Sequence, residues 1–207
     1  ELRLARQEQA LIAQYHLSLG RTLLAQHKYQ ESEQQLQFAL SAAQQVSNRI
    51  EQADALQSLA WLDLHFDRVE QANSKYQQIT ELLHQDEYKS NFQRFSLRHL
   101  SALLEFSLPD QAAALYTKLA LQSADFAEPQ LLLDFWLVTA KVARFKQDDR
   151  RAYEALEQVR QLQQSLFDDQ THKQALVIAS EQHKNLLEVE LQQSAQQSQL
   201  DVLCLLY

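Results

Sequence analysis

The sequence predicts an all-α protein, and three observations lead to that prediction. The 207 residues include one Gly and two Pro, whereas β-sheets and tight hairpins use Gly and Pro at their turns and bulges. Leu, Gln and Ala are abundant, and all three favour helix. Small and apolar residues also recur at a fixed interval of forty residues, which is typical of stacked helical hairpins.

Charge, hydropathy and cysteine content together argue against several classes of protein. The net charge of −8 argues against a nucleic-acid-binding domain, which needs a basic patch. No stretch reaches the ~18 apolar residues of a membrane span, and the first residues are not a signal peptide. Cys204 is the one cysteine, so no intrachain disulfide can form. We therefore expect a cytoplasmic protein, and a chain without Met is expected to be a fragment.

The repeat is defined by four columns of residues, each member lying forty positions after the previous one. Two columns hold mostly small residues, and they suit positions where helices cross closely: Gly20, Ala60, Leu100 and Ala140, then Ser32, Ala72, Ala112 and Ala152. Two columns hold larger or apolar residues, which fill the space beside the crossing: Leu36, Tyr76, Tyr116 and Leu156, then Ala39, Ile79, Leu119 and Val159. Stacked hairpins with these columns share one continuous core.

Each unit is predicted to be a helix, a short turn and a second helix. The stretches between the two halves are polar or break helices, and Asp110 and Asp148 are expected to cap the second helices. The predicted helices lie near 2–26, 29–46, 48–66, 69–85, 87–106, 110–123, 128–146, 149–166 and 169–200. The pairs Asp148-Asp149 and Asp168-Asp169 are interpreted as helix starts, where carboxylates stabilise the helix dipole.

The first unit resembles the tetratricopeptide repeat. The pattern that carries this resemblance is Leu19-Gly20-x-x-Leu23, Lys28-Tyr29-x-Glu31-Ser32 and Leu36-x-x-Ala39-Leu40. Later units keep the small and large columns, but their period exceeds the usual ~34 residues by about six. The resemblance implies a right-handed superhelix of about four hairpins over 1–168, followed by a long C-terminal helix over 169–200.

The C-terminal segment carries a second resemblance. Leu187 and Leu191 begin a weak apolar stripe, so helix 169–200 is interpreted either as a coiled-coil connector or as a capping helix. The segment 201–207 is similar to the opening of GGDEF (diguanylate cyclase) domains, Asp-x-Leu-Thr-Gly-Leu-x-Asn-Arg-Arg. The matching residues are Asp201, Leu203, Leu206 and Tyr207, while Cys204 and Leu205 depart from the pattern. This resemblance implies a truncated GGDEF domain at 201–207.

No catalytic site, metal site or cofactor is predicted within the chain. No two of the seven His lie three or four residues apart, so no helix face offers a paired-His metal site. A Gly-rich phosphate loop is excluded because Gly20 is the only glycine.

The predicted functional surface is the concave side of the solenoid, which the first helix of each repeat lines in this family. The candidate groove residues are Leu17, Arg21, Asp54, Gln57, Trp61, Arg94, Leu97, Ser101, Lys141 and Arg144. Trp61 is interpreted either as an anchor for a ligand side chain or as a residue packed between helices. Arg94, Lys141 and Arg144 form either a basic patch for a peptide carboxylate or a solvated face with intrachain ion pairs.

The first hypothesis is a non-catalytic regulatory module. It binds a protein or peptide in its groove and controls a C-terminal GGDEF domain in bacterial cyclic-di-GMP signalling, with two copies pairing through the C-terminal helix. In that case the full-length protein is a diguanylate cyclase. The alternatives are the ligand-binding region of a bacterial transcription regulator and a free-standing adaptor.

Overall fold

The computed structural model describes residues 2–122, 125–126, 128–171 and 174, and all regular secondary structure in these ranges is helical. The helices are α1 (Leu2–Ala25), α2 (Tyr29–Gln45), α3 (Arg49–His65), α4 (Val69–Leu82), α5 (Lys89–Glu105), α6 (Pro109–Gln122), α7 (Pro129–Phe145) and α8 (149–171). A 3₁₀ turn, Asp86–Tyr88, precedes α5. The predicted all-α class is therefore confirmed for the described residues.

The predicted turn at 167–168 is wrong. Residues 149–171 are continuously helical, so Asp168 and Asp169 lie inside α8 and do not begin a new helix. The Gln164 side chain donates a hydrogen bond to the Asp168 carboxylate at 2.9 Å, an i,i+4 contact that supports an uninterrupted helix.

One of the two predicted helix caps is correct. The Asp148 carboxylate accepts a hydrogen bond from the Arg151 N–H at 3.0 Å, as expected of a cap before α8. Asp110 is not a cap, because α6 already begins at Pro109. Proline suits the first helical position, since its fixed φ is preorganised for the helix and it carries no N–H to satisfy.

Five of the helices end in the same turn. The second residue after each of these helices has a φ between 56° and 60°, in the left-handed region; these residues are His27, Ser47, Asp67, Ser107 and Gln147. Each turn is closed by two backbone hydrogen bonds of the Schellman motif, such as Leu108 N–H to Leu103 O at 2.8 Å. The chain thus reverses direction repeatedly with one backbone geometry and without glycine at the left-handed position.

The chain divides into two compact units, Glu1–Val159 and Arg160–Tyr207. In the first unit, neighbouring helices pack in pairs, and each of the three larger hydrophobic clusters joins one hairpin to the next helix along the chain. Representative members are Leu17, Leu36 and Leu59 for α1–α3, Leu56, Ile79 and Phe95 for α3–α5, and Leu100, Leu119 and Phe135 for α5–α7. The described part of the second unit, 160–171 and 174, is helical.

The first hairpin crosses at Gly20, where its two helices come unusually close. The buried Ser32 hydroxyl donates to the Gly20 carbonyl at 2.8 Å. A Cβ atom on Gly20 would lie 2.8 Å from Cγ and Cδ2 of Leu36. Glycine is therefore required at this crossing as the structure stands.

Candidate functional site

Two adjoining cavities lie along the odd-numbered helices, which contact one another in the order α1, α3, α5 and α7. Each has a volume of about 330 Å³. The first cavity is lined by Arg21, Leu24, Gln57, Ser58, Trp61, Tyr76, Arg98 and Ala102. The second cavity is lined by Trp61, Arg94, Leu97, Arg98, Ser101, Ala102, Glu105, Asp134, Leu137, Val138 and Lys141. We call the two linings together the groove surface; they share Trp61, Arg98 and Ala102.

The lining residues occupy matching positions on successive odd helices. Arg21, Trp61, Ser101 and Lys141 are spaced forty residues apart, and all four line one of the two cavities. Gln57, Leu97 and Leu137 form a second such column. Residues spaced forty positions apart therefore line the two adjoining cavities.

Trp61 lies between the two cavities and is half-buried. Its indole N–H donates to the Glu105 carboxylate at 3.4 Å, and its ring packs edge-on against Phe106 at 5.3 Å. The His65 ring is nearly parallel to it at 5.4 Å. One part of the indole is thus packed among neighbouring rings, as one of the two interpretations expects, while another part lines both cavities; its role as a ligand anchor stays a prediction.

A carboxylate on α3 joins three of the odd helices. Asp54 accepts from the guanidinium of Arg21 on α1 and lies 3.3 Å from the guanidinium of Arg98 on α5. Asp54 does not line either cavity itself, but it positions two cations that do. Sequence reasoning missed Arg98, although the i,i+4 spacing from Arg94 places both on one face of α5. Glu105 was also missed, although it follows Ser101 by four residues and therefore lies on the same face of α5.

The predicted basic patch is only partly assembled. Arg94 and Lys141 both line the second cavity, together with Glu105 and Asp134. Arg94 is paired with Glu128 at 2.9 Å, so part of its charge is already neutralised. Arg144 is exposed and lines neither cavity, which corrects its prediction as a groove residue: it lies one turn beyond the last cavity residue of α7.

Leu17 also departs from the prediction. It is 7% exposed and belongs to the core that joins α1, α2 and α3, because its side chain meets Leu36 and Leu59 rather than a cavity. Leu97 is similarly buried at 3%, yet it lines the second cavity as an apolar wall. Gln57 is buried in the wall of the first cavity, where its Nε2 donates to the Phe95 carbonyl at 3.3 Å.

The predicted packing residues lie in the core, with one exception. Those that are buried are Gly20, Ser32, Ala60, Ala72, Tyr76, Ala112, Tyr116, Ala140 and Ala152. Leu156 is 44% exposed, so its expected burial is wrong. In the earlier units the next helix covers this position; Tyr76, for example, is covered by His99 of α5 and Tyr116 by Phe135 of α7.

Burial changes the acid–base chemistry of the Tyr76–His99 pair, whose rings stack with centroids 3.4 Å apart. Burial, and secondarily the negative charge of Glu105, raises the pKa of the Tyr76 hydroxyl above its usual range. Burial lowers the pKa of His99 to about 4. Both side chains are therefore neutral near pH 7.

A third cavity, of about 790 Å³, was not predicted from the sequence. It lies between α6, α7 and α8, and Arg151 crosses it to donate to the Tyr116 hydroxyl at 3.2 Å. Its walls mix apolar rings such as Trp136 with the exposed Arg150–Glu154 pair. Its existence depends on how three helices meet, which a residue pattern along one helix does not reveal.

The described residues contain no group of three or more His, Cys, Asp or Glu side chains placed to hold a metal ion. Among the described helices, none combines the length and the apolar character that crossing a membrane requires. The predicted connector residues Leu187 and Leu191 and the predicted GGDEF-like residues Asp201, Leu203, Leu206 and Tyr207 lie outside the described residues. Comparison with protein-family models, curated proteins and solved structures gives no match to this chain.

Proposed function

We propose that this chain is a tetratricopeptide-like regulatory module that binds a protein or peptide along the groove surface. The observation that carries the proposal is the lining of two adjoining cavities by matching repeat positions on successive odd helices, with Trp61 shared between them. Aromatic side chains in partly desolvated pockets are the usual anchors of protein interfaces. The recurring Schellman turns at 27, 67, 107 and 147 also support the repeat, and we propose that its hairpins form a right-handed superhelix.

The chemistry of the groove surface suits a peptide better than a charged cofactor. Cations and carboxylates alternate along it: Arg21 and Arg98 meet Asp54, and Arg94 and Lys141 share the second cavity with Glu105 and Asp134. Apolar walls such as Leu97 and Leu137 lie between them. A peptide offers the same mixture of polar backbone and apolar side chains, and each cavity is large enough for a side chain.

We further propose that the bound partner controls a C-terminal GGDEF domain in cyclic-di-GMP signalling, in a bacterial cytoplasmic protein. The support is the resemblance of 201–207 to the opening of that domain. In this proposal helix 169–200 pairs two copies, and ligand binding changes the geometry of that pair. The chain itself supplies binding and no catalysis.

The binding proposal is tested by selecting peptides from a displayed library on the full chain. We expect selected peptides to bind Trp61→Ala at least tenfold more weakly, because the shared wall of both cavities is removed. Tyr153→Ala is the matched control, since Tyr153 is a 72% exposed aromatic residue of α8 that lines neither cavity. Circular dichroism checks that both variants are folded. Equal binding to wild type and Trp61→Ala would overturn the proposal, as would a library that yields no specific binder.

The signalling proposal is tested on the natural protein that contains this chain. We expect its coding sequence to continue from Tyr207 into Asn-Arg-Arg and a GGDEF motif. We also expect the rate of cyclic-di-GMP synthesis with a selected peptide to differ between wild type and Trp61→Ala. A stop codon or an unrelated domain after Tyr207 contradicts this part and leaves the binding proposal standing.

A further inference from the structure

Two residues that line the first cavity each carry a buried polar atom without a partner among the described residues. These atoms are Oε1 of Gln57 and the hydroxyl oxygen of Tyr76. The two residues are 8% and 7% exposed, so water does not satisfy these atoms as it would at the surface. Leaving a buried donor or acceptor unpaired is unfavourable, and such atoms are few in folded proteins.

The hydrogen-bonding roles of the two atoms differ. Nε2 of Gln57 already donates to the Phe95 carbonyl at 3.3 Å, which turns Oε1 into an acceptor that lacks a donor. The Tyr76 hydroxyl stays protonated over the whole physiological pH range, so it has a proton to donate. The cavity lining therefore includes one residue with an unpartnered acceptor and one with an unpartnered donor.

The remaining walls indicate which ligand group complements this pair. Leu24, Trp61 and Ala102 provide apolar surface suited to an aliphatic stem. Arg21 and Arg98 line the same cavity, but Asp54 already binds both guanidinium groups. Asp54 supplies one negative charge for two guanidinium groups, so the preference for a neutral group rests on the unpartnered atoms: Oε1 of Gln57 needs an N–H, which a carboxylate does not carry. A neutral group that both donates an N–H and accepts at an oxygen is a carboxamide.

We propose that the first cavity binds the carboxamide side chain of a Gln or Asn residue in the bound peptide. Oε1 of Gln57 accepts from the ligand N–H, and the Tyr76 hydroxyl donates to the ligand carbonyl oxygen. This inference rests on the proposed peptide-binding function and names the ligand chemistry of its first cavity. Because these two atoms are buried, a side chain of the cavity lining must move as the ligand enters. Arg98 is half-exposed, so its side chain can move into solvent.

The test uses three small probes of the same shape and the full chain. They are 4-methylpentanamide, its carboxylate 4-methylpentanoate, and the ketone 5-methylhexan-2-one, which lacks the N–H. Binding is followed by nuclear magnetic resonance through the Gln57 side-chain amide and the Trp61 indole N–H. We expect the amide to bind with a Kd of roughly millimolar order, as its few atoms allow, and the other two at least tenfold more weakly.

Two conservative variants separate the roles of the wall atoms. Tyr76→Phe removes the hydroxyl and Gln57→Met removes the acceptor, and each is expected to weaken amide binding at least fivefold. Arg144→Gln is the control, since Arg144 lines neither cavity and its variant should bind the amide as wild type does. Tyr76→Phe should also leave the empty protein as stable as wild type or more stable, which shows that lost binding is not lost folding.

The results that overturn the inference are distinct from those that overturn the proposed function. Carboxylate binding as tight as amide binding, no shift with the amide, or unchanged amide binding in both variants each overturns the inference. Selected peptides are then remade with Met in place of each Gln and Asn. If these bind Trp61-dependently with unchanged affinity, the carboxamide inference fails while the peptide-binding function stands.

Discussion

The first hairpin and the later ones present the same repeat position in opposite environments. Tyr15 on α1 is 63% exposed, whereas Ala55, Phe95 and Phe135, at intervals of forty residues, are 0%, 5% and 4% exposed. Leu11 is likewise 64% exposed, while Leu131, three repeats later, is 1% exposed. The later residues are covered by the hairpin that precedes them. Burial at this position is therefore determined by the neighbouring hairpin and not by the type of residue.

The largest expected effect comes from testing this contrast directly. Phe135→Ala removes a ring that packs against Phe126 and Tyr116, and we expect the free energy of unfolding to fall by about 3–5 kcal/mol. Tyr15→Ala, at the exposed equivalent, should change it by no more than about 0.5 kcal/mol. Urea unfolding of both variants measures the difference, and similar losses would show that the first hairpin is covered after all.

A second contrast lies one helical turn further along the same face. His99 is partly buried and stacks against Tyr76, at the repeat position where the second hairpin has the buried Leu59. Because the pKa of His99 falls from an ordinary 6.5 to about 4, the unfolded chain takes up the proton first as the pH decreases. The stability that neutral His99 contributes is complete above about pH 6.5 and is lost between pH 6.5 and 4, by up to about 3 kcal/mol.

His99→Leu places on α5 the residue that α3 carries at the equivalent repeat position, Leu59. Every other titrating group is unchanged, so the difference between the wild-type and variant pH profiles of unfolding isolates His99. We expect the variant to be less sensitive to acid over this window. Parallel profiles from pH 7 to 4 would mean that His99 is solvated in the folded protein.

A smaller effect is expected where the two helices of the first hairpin cross. Gly20→Ala places a Cβ against Leu36, and overpacking should outweigh the gain in helix propensity by roughly 1–2 kcal/mol. Ala60→Gly, at the equivalent crossing of the second hairpin, should lower the free energy of unfolding by about 1 kcal/mol through the loss of helix propensity alone. A double-mutant cycle with Leu36→Ala checks the mechanism, because relief of the clash makes the combined loss smaller than the sum. Strict additivity argues against the close contact.

The smallest effect concerns a feature that the hairpins share. Ser47 and Ser107 have φ of 57° and 56°, a conformation that costs an L-residue more than glycine. Ser47→Gly and Ser107→Gly should each raise the free energy of unfolding by about 0.5–1 kcal/mol. Lys118→Gly inside α6 is the control and should lower it by about 1 kcal/mol. Unequal gains at the two serines would show that their turns differ despite a common geometry.

The sequence predicts local structure here better than it predicts surfaces. The bounds of α1 to α7 follow from the polar or helix-breaking stretches between the halves of each unit, and the small and large columns indicate which face of each helix meets its neighbour. The end of the eighth helix was misplaced because Asp168 and Asp169 are compatible with both a helix start and a helix interior. Column spacing also placed Trp61 and Ser101 on the cavity walls correctly, but it did not distinguish them from Leu17, whose burial depends on contacts with α2 and α3.

Tyr76 and Gln57 in the first cavity show why the remaining features of the site could not be predicted from the sequence. The column of larger residues predicts that Tyr76 packs in the core, and its ring is indeed buried. That its hydroxyl lacks a partner and shares a cavity with Gln57 follows only from the approach of α3, α4 and α5. Likewise, no pattern within one helix reveals that Asp54 joins Arg21 to Arg98.

The shared Schellman turns bear on how a chain of this kind gains or loses whole hairpins during evolution. At 27, 67, 107 and 147 the backbone has the same conformation and the same pair of closing hydrogen bonds, although the residues differ. A chain cut at one of these turns and rejoined at another keeps its bend and its helix lengths. We therefore expect whole hairpins to be exchangeable at these turns. Duplication or deletion of forty residues alters how many cavities the surface offers while leaving every remaining turn intact.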